Sequence, residues 1–567
     1  MGSLVFILIV GYVIYVLHRN SGSPKGPLKT WQKIVSLIAI LAVWYYAEYP
    51  AVNIHSYDFW LFCVVAVILV ILLFVPAKEG EGIHIETTGN KTFRFHLPKT
   101  KKGPVALAGY IIAGVIAVNV VVGIIFSPLV MSSSYAKRIS VNTVSFSEIP
   151  AYKYNQTAII DRSSAELLGD KVMGQMTDLV SQFSVSSEYN QVSYENGTRR
   201  VTPLAYDGFI KYLRNRSAGV PGYIIVNTTT GATELVRLEN KMHYVPSAYF
   251  NENLYRHLRF RYPTVLFGDP SFEIDDEGNP YYVCTTYTYT GIHSMRKVTG
   301  VILLDPRDGS SQKYKIEDVP SWVDRVYPES LIEDELNDYG QYQKGFINSI
   351  LGQEGVTQTS QGYNYISKDG DIWYYTGMTS AVSDESNVGF MLVNLRTHEA
   401  QFTATSGATE TAVMRSAEGE VLNYGYTATF PTLINVGGKP VYLLSLKDSA
   451  DLIKMYAMVD AQDYQQVYTV RAEKDTASAI STLIRQVGGE SQASAGTEEE
   501  EITIEAIRTA VIDGDTYVYI KSGDFVYRIS VDESNAASAL FLSQGDIITV
   551  LYAEDSSSGE RIITQIK

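Results

Sequence analysis

Long apolar runs occupy the first 131 residues of the chain, and shorter alternating segments follow them to the C-terminus. The four runs cover about 4–17, 34–47, 59–75 and 105–131. A membrane span needs about 20 mostly apolar residues, which the last two runs provide and the second reaches by extending to Ile54. The first run is short, but it has no positive segment before it and no small-residue cleavage site, so a signal peptide is the weaker reading. The pattern predicts a four-span α-helical membrane domain over residues 1–131.

Positive charge in the loops sets the expected orientation of these spans. The segment at 47–58 holds no Lys or Arg, whereas the segments before and after it hold ten: Arg19, Lys25, Lys29, Lys33, Lys78, Lys91, Arg94, Lys99, Lys101 and Lys102. Because positive loops stay in the cytoplasm, we expect a multi-pass cell-membrane protein with its N-terminus and residues 132–567 outside. The apolar runs contain no charged residue, which argues against an ion pump or a proton-coupled carrier.

A short pattern of strand and turn recurs four times in the outer part. Each copy is an apolar segment of four residues that ends in Asn or Asp and is followed by a polar turn and a second strand. The four end residues are Asn227, Asp305, Asn394 and Asp460. Asn and Asp suit this position because their side chains cap the backbone of a turn. We predict that the four residues occupy equivalent positions in four similar hairpins.

A helical stretch follows each of these hairpins, and in three copies a second hairpin comes next, around Gly278, Gly370 and Gly437. The predicted unit is therefore hairpin, helix, hairpin, which is an antiparallel sheet with one helix across a face. This layout resembles the PepSY-type extracytoplasmic domain, which is similar to the cystatin-like fold. The resemblance predicts repeated α+β units over residues 219–487.

Three further segments complete the predicted organisation. Residues 132–218 read as an α+β connector with a helix over 161–183, and Asp161 or Ser163 near its cap. Residues 488–501 combine a glycine pair, small polar residues and four consecutive glutamates, which is typical of a solvated linker. Residues 502–567 contain about five short strands and predict a small OB-like or SH3-like β-barrel.

The amino-acid composition adds information about possible partners, mainly through the distribution of charge. The chain has 567 residues and a net charge of −15, from 46 Lys+Arg against 61 Asp+Glu. Residues 1–136 carry ten Lys+Arg against five Asp+Glu, whereas residues 137–567 carry 36 against 56. An acidic outer part with few cations in its last 66 residues lacks the basic surface that nucleic-acid binding requires. Two cysteines, Cys63 and Cys284, exclude a disulfide scaffold and a cysteine-based zinc site.

Candidate catalytic chemistry is sparse. The outer histidines, which are His243, His257, His293 and His398, form no zinc-peptidase pair, and the chain has no nucleophile-elbow motif. Cys284 lies in a predicted strand, where a buried small hydrophobic role is the expected one. We predict no catalytic residue, no cofactor-binding residue and no metal ligand.

Acidic residues and tyrosines leave three alternatives open. The clusters at 275–279, 305–309 and 369–371 have oxygens that calcium would accept, but they match no EF-hand spacing and read as hairpin turns. A carboxylate pair for glycoside hydrolysis depends on spatial separation, which sequence does not give. The 41 tyrosines fit strand packing, with a partner-binding face as the alternative.

The whole chain resembles large membrane-anchored proteins of Gram-positive, Firmicute-type bacteria, loosely labelled colicin-V-production-like or cell-shape-determining. The residues that carry this likeness are the four apolar runs and the segments 161–171, 269–275 and 442–454. The colicin-V comparison covers the four-run part alone, and the resemblance implies no catalytic residue. We expect a non-enzymatic envelope protein that sits in the lipid bilayer and binds a protein or cell-wall partner outside, without a cofactor. The alternatives are a cell-wall-acting hydrolase with an unlocated carboxylate pair and an accessory subunit of a transport or secretion system.

Overall fold

The computed structural model describes residues 11–12, 28–74, 85–88, 92–95, 102–149, 157–195, 197–381, 386–472, 476–488, 498–512, 515–531, 535–554 and 560–566. The chain divides into two compact units. The first consists of Met1–Met131, Tyr244–Gly268 and Thr286–Thr299, and the second of Ser132–His243, Asp269–Thr285 and Gly300–Lys567.

Helices dominate the N-terminal part of the first unit: α1 (Thr30–Glu48), α2 (Tyr57–Phe74) and α3 (Lys102–Ile125), with α4 (Pro128–Ala136) continuing the last of them into the second unit. Strands β1 (Ile85–Thr88) and β2 (Thr92–Phe95) form an antiparallel hairpin between α2 and α3.

The predicted four-span membrane region is wrong. Among the described residues, α1 is the one helix that by itself is long and apolar enough to cross a membrane, and it lies near the N-terminus. The apolar stretch Tyr57–Ile71 is shorter, and Gly109–Ile125 with Pro128–Ala136 would give a second span only as a pair bent by 49°. The hydropathy pattern predicted one continuous span across that bend, because a proline ends a helix without making the segment less apolar. The first apolar run, at 4–17, lies outside the described residues apart from Gly11 and Tyr12.

The second unit opens with a strand and a capped helix, β3 (Val141–Val144) and α5 (Arg162–Gln175). Asp161 is the N-cap of α5, since its Oδ1 accepts a hydrogen bond from the Ser164 N–H at 3.2 Å. The cap predicted at Asp161 is confirmed, but the helix ends at Gln175 rather than at residue 183. The strands that follow in 183–206 were not predicted.

Four antiparallel sheets then follow one another along the chain. The first contains β4 (Phe183–Val185), β5 (Asn190–Tyr194), β6 (Gly197–Tyr206), β7 (Val220–Asn227) and β8 (Thr233–Met242). The second contains β9 (Leu266–Phe267), β10 (Ser271–Ile274), β11 (Pro280–Thr290), β12 (Ser294–Leu304) and β13 (Ser311–Lys315).

The third and fourth sheets repeat this plan. The third contains β14 (Thr357–Thr359), β15 (Asn364–Lys368), β16 (Asp371–Ser380), β17 (Ser386–Asn394), β18 (Ala400–Thr403) and β19 (Gly407–Ala408), and it also receives β3, which runs parallel to β18. The fourth contains β20 (Thr427–Ala428), β21 (Thr432–Val436), β22 (Lys439–Lys447), β23 (Ile453–Asp460) and β24 (Val467–Arg471). Helices separate the strands: α6 (Phe209–Asn215), α7 (Leu254–Arg261), α8 (Glu329–Tyr342), α9 (Glu410–Glu420) and α10 (Thr476–Gln486).

The equivalence of the four predicted turn residues is confirmed. Each ends the third strand of the four-stranded path in its sheet, and each accepts a hydrogen bond from the backbone N–H two residues on, at 2.8–2.9 Å: Asn227 from Thr229, Asp305 from Arg307, Asn394 from Arg396 and Asp460 from Gln462. The side-chain oxygen thus replaces a backbone acceptor in all four turns.

The predicted unit of hairpin, helix and hairpin, and with it the PepSY-type layout, is wrong. The hairpin assigned to the end of one unit pairs directly with the hairpin assigned to the start of the next, as β16 does with β17. The result is a meander of four strands, and helices α7, α8 and α9 lie between successive sheets along the chain. The strand periodicity marked each hairpin correctly, but it does not specify which hairpins share a sheet, because that pairing is not local.

The four sheets contact one another through strands near the start of each sheet. Strand β10 packs against β5 and β6, β5 packs against β16, and β15 packs against β21. These contacts join the sheets in the order second, first, third and fourth. The second unit therefore has a centre that several sheets supply jointly.

A six-stranded sheet ends the chain, formed by β25 (Glu498–Thr503), β26 (Ala506–Ile512), β27 (Asp515–Ser522), β28 (Phe525–Ser530), β29 (Ile547–Glu554) and β30 (Arg561–Ile566), with α11 (Ala536–Leu540) before β29. The pairings given by the described residues run from β25 at one edge to β26 at the other, rather than closing as the predicted OB-like or SH3-like barrel.

The glutamate run lies in this sheet and is not part of a linker. Glu498–Glu501 belong to β25, which pairs antiparallel with β29. The buried Tyr552 hydroxyl donates to Glu498 at 2.6 Å, and Glu500 accepts from the Tyr527 hydroxyl at 2.6 Å and from Arg561 at 2.7 Å. Buried donors thus engage two of the four carboxylates, Glu498 and Glu500, and sequence reasoning missed these distant partners.

Candidate functional site

A cavity of about 300 Å³ lies where the first, third and fourth sheets of the second unit meet. Its lining comes from six separate parts of the chain: Asp161 and Arg162 at the start of α5; Tyr189, Asn190, Gln191 and Arg200 around β5 and β6; Arg325 and Glu329 before and in α8; Tyr363, Asn364 and Tyr365 around β15; Leu395 after β17; and Phe430 between β20 and β21. Several sheets thus fix one set of polar side chains in a shared centre.

One side of the cavity is a closed charge network around Glu329. Arg325 forms an ion pair with Glu329 and donates from Nη1 to Asn190 Oδ1 at 3.3 Å. The Tyr365 hydroxyl donates to Glu329 Oε1 at 2.5 Å. The negative charge of Glu329 is therefore already balanced within the protein.

Arg200 forms no such ion pair, although Asp161 attracts its charge within the cavity and its guanidinium lies 5.9 Å from the centroid of the Tyr365 ring. The side chain of Arg200 lies on β6, and the residue is 6% exposed. Nη1 donates to the Tyr189 carbonyl at 3.4 Å, Nε has no hydrogen-bond partner among the described residues, and no described carboxylate forms an ion pair with it. Burial lowers the pKa of Arg200, but a guanidinium stays protonated in proteins. A buried guanidinium without a direct ion pair is costly, so this group is ready to receive an anion.

Gln191 adds unused hydrogen-bonding groups beside Arg200. The residue is 7% exposed, and neither its amide nitrogen nor its amide oxygen has a partner among the described residues. The buried Tyr189 hydroxyl is in the same situation. A buried polar group left without a hydrogen bond costs about 1–3 kcal/mol. A ligand that reaches these groups would recover that free energy.

Asp161 forms the opposite side of the cavity and is held ionised. Its Oδ2 lies 2.9 Å from Lys447 Nζ and accepts from the Ser163 hydroxyl at 2.9 Å. Burial alone would raise the pKa of Asp161, but the hydrogen bonds from Lys447, Ser164 and Ser163 outweigh it and leave the pKa below its usual value. Asp161 is therefore a fixed negative charge at neutral pH and a poor proton donor.

Aromatic rings complete the lining. Tyr363 stacks on Tyr374 with centroids 5.1 Å apart and meets Tyr365 edge-on at 5.6 Å. The cavity thus holds three arginines and two carboxylates, both carboxylates are engaged by cations of the protein, and tyrosine faces lie next to them. Such a lining suits a ligand with an anionic group on a body that packs against rings.

Two further carboxylates lie close to this network but do not line the cavity. Glu273 accepts from the Asp324 N–H at 2.9 Å, and Asp324 accepts from the Ser193 N–H at 2.6 Å. Both are buried, and burial raises the pKa of Glu273 to about 7 and that of Asp324 well above its ordinary value. They contact backbone groups of neighbouring segments and belong to the packing of the centre.

The outer histidines and Cys284, which the sequence analysis considered as candidates, do not line this cavity. His398 binds Glu335 at 2.7 Å, His243 lies 3.1 Å from the Arg216 carbonyl, His257 packs on Tyr244, and His293 packs near Tyr57 and Tyr289. Cys284 is fully buried, as predicted, and burial raises the pKa of its thiol.

The acidic clusters behave as turns. Asp275 accepts from the backbone N–H groups of Glu277 and Asn279, and Asp371 pairs with Arg396 at 2.7 Å. No group of three or more metal-ligating side chains is present within the described part of the chain.

Sequence reasoning missed the cavity because no motif unites its residues. One signal was available. Arg199 and Arg200 stand next to each other in β6, whose residues from Gly197 to Leu204 are all buried. Two adjacent arginines inside a buried strand place one charge on each face, and each then requires a partner.

Comparisons with known proteins give little guidance. No family model matches the chain, and no curated protein matches it. A solved exo-β-1,3-galactanase from Phanerochaete chrysosporium aligns at 8% identity over 67% of this chain and 66% of that chain, with a TM-score of 0.16. A variant of levansucrase from B. megaterium aligns at 8% identity over 74% of this chain and 98% of that chain, with a TM-score of 0.18. Likeness this weak defines neither fold nor function.

Proposed function

We propose that this chain is a membrane-anchored, non-enzymatic binding protein whose central cavity takes a carboxylate group of an outer protein or cell-wall component. The buried guanidinium of Arg200, which forms no ion pair with a described carboxylate, is the observation that carries this proposal. A planar carboxylate matches the fork of a guanidinium, and the Gln191 amide beside it offers a further donor. The tyrosine faces at 363 and 365 would pack against the body of the ligand.

The location fits a ligand of the cell envelope. Helix α1 is a candidate membrane anchor, and Lys25, Lys29 and Lys33 cluster at its N-terminal end, whereas residues 47–58 carry no Lys or Arg. Because positive flanks stay in the cytoplasm, the C-terminal end of α1 would face outward. We therefore place residues 132–567 on the outer side, where wall components and secreted proteins are accessible.

Binding of small carboxylates to the full-length protein in detergent tests the proposal. The probes are N-acetylmuramic acid and N-acetyl-alanyl-alanine, each compared with its carboxamide. We expect the acids alone to raise the unfolding temperature, since a ligand at 100 times its Kd stabilises a protein by about 2.7 kcal/mol. Arg200→Met should abolish that shift and stabilise the unliganded protein, because it removes an unpaired buried charge.

Arg199→Gln is the matched control, since Arg199 is the buried neighbour on the same strand and pairs with Glu195 at 3.9 Å. This variant should keep the response to the acids. Equal responses to acids and carboxamides, or an unchanged response in Arg200→Met, would overturn the proposal.

A further inference from the structure

The first unit attaches a basic helix to the aromatic end of α1. Arg256 of α7 is buried, donates from Nε to the Tyr46 carbonyl at 3.0 Å and lies 4.6 Å from the centroid of the Tyr46 ring. The Tyr46 hydroxyl in turn donates to Asn251 at 3.0 Å. These contacts fix the start of α7 against the last turn of α1.

The end of α7 continues this aromatic contact and stays open to solvent. Phe260 stacks on Tyr46 with centroids 5.9 Å apart, lies 6.2 Å from Tyr45, and is 42% exposed. Tyrosines at the end of an apolar helix mark the depth of lipid headgroups. If α1 is in the membrane, Phe260 lies at that same depth.

Arg261 follows Phe260 and is the available cation of this surface. Its neighbour Arg259 is occupied, because Nη1 donates to the Val265 carbonyl at 2.5 Å and the guanidinium covers the Phe267 ring at 4.1 Å. Arg261 is exposed and forms no ion pair with any described carboxylate. An exposed apolar ring followed by an unpaired cation is the combination that interfacial helices present to a membrane surface.

We propose that α7 lies in the membrane–water interface, where Phe260 inserts at the acyl boundary and Arg261 binds the phosphate of an anionic phospholipid. The occupant of this surface is the bilayer itself, because the surface is continuous with the aromatic end of α1 and opposite in charge to an anionic headgroup. The inference depends on α1 being in the membrane and is independent of the central cavity. The role of this membrane contact is to hold the residues that flank α7 at the bilayer surface.

Lipid selection by the full-length protein tests this inference. The protein is placed in nanodiscs that contain equal amounts of phosphatidylcholine and phosphatidylglycerol, and the lipids retained after ejection are counted by native mass spectrometry. We expect the natural chain to retain phosphatidylglycerol preferentially. Arg261→Gln should lower the affinity for this lipid about fivefold, since one arginine near an anionic surface contributes that much. Arg214→Gln is the matched control, because Arg214 is also an exposed arginine in the last turn of a short helix.

A second measurement reports insertion directly. A cysteine that replaces Phe260 or Phe209, in a Cys63→Ser background where the remaining Cys284 is fully buried, carries a bimane label, and lipids with a spin label near the headgroup quench it. We expect strong quenching at 260 and weak quenching at 209, which is an exposed phenylalanine on α6. Equal retention of the two lipids by the natural chain, or equal quenching at the two positions, would overturn the inference.

Discussion

Burial makes Glu273 sensitive to pH, because it outweighs the attraction of the nearby Arg325. Its folded-state pKa is about 7, whereas an unfolded glutamate titrates near 4.3. The folded state therefore binds the proton more tightly, and the contribution of Glu273 to stability is fully present below about pH 4.3 and is lost as the pH rises through 7. The loss of stability accumulates between about pH 4.3 and pH 7 and is complete above that window.

Glu273→Gln should remove this pH dependence. Glutamine keeps the shape and can still accept from the Asp324 N–H, but it carries no charge. We expect the variant to be more stable than the natural chain by about 1–3 kcal/mol at pH 8 and to differ little at pH 4.5. Urea unfolding of the full-length protein at the two pH values measures the difference. Glu277→Gln, at an exposed turn position, should show no such change. An equal gain at both pH values would contradict this assignment.

Individual residues also show what sequence could and could not reveal about the site. The cap at Asp161 and the burial of Cys284 follow from local patterns, and the structure confirms both. The role of Arg200 depends on β5, β15 and α8, which are brought together over long separations. Whether a buried charge has an ion-pair partner depends on segments that are distant in the sequence, so no local pattern identifies such a residue.

At the scale of elements, the four strand-end turns repeat in geometry but differ in environment. Asn394 is buried, and its amide also donates to Asp371 at 2.8 Å. Asp460 is partly exposed and caps its turn through contacts with the backbone of Gln462 and Asp463. The same turn therefore contributes different amounts to stability in the third and fourth sheets.

Alanine at these two positions should separate the contributions. We expect Asn394→Ala to lower the free energy of unfolding by about 2–4 kcal/mol, because it leaves buried partners without hydrogen bonds. Asp460→Ala should cost about 1 kcal/mol, as expected for loss of a cap. Thermal and urea unfolding of the full-length variants gives both numbers. Losses of equal size would show that the environments are equivalent after all.

The secondary-structure elements also explain why the predicted turn positions are confirmed while the predicted repeat unit is wrong. Turn residues act over two or three positions, so their spacing was visible in the sequence. The pairing of β16 with β17 joins two hairpins that sequence reasoning had assigned to different units. Strands β11, β16 and β22 are buried over most of their length, so they lack the alternation that would mark them as central strands.

On the scale of the whole molecule, the proposed location makes a direct prediction. If residues 132–567 lie outside, protease added to wall-stripped intact cells should remove an epitope placed after Lys567. A cytoplasmic marker protein in the same cells should stay intact. An epitope that becomes cleavable only after the membrane is permeabilised would place this part of the chain inside and contradict the proposal.

Strand β3 sets a delay on the completion of the third sheet. Val141 lies opposite Ala400 in the parallel pair, so about 260 residues must be synthesised before β3 meets its partner. At 5–20 residues per second, that interval is roughly 13–50 s. For all this time the segment just beyond α4 is an unpaired strand that could join a foreign sheet edge. A chaperone or a nascent-chain contact that covers residues 137–149 would therefore affect yield far more than the stability of the finished protein.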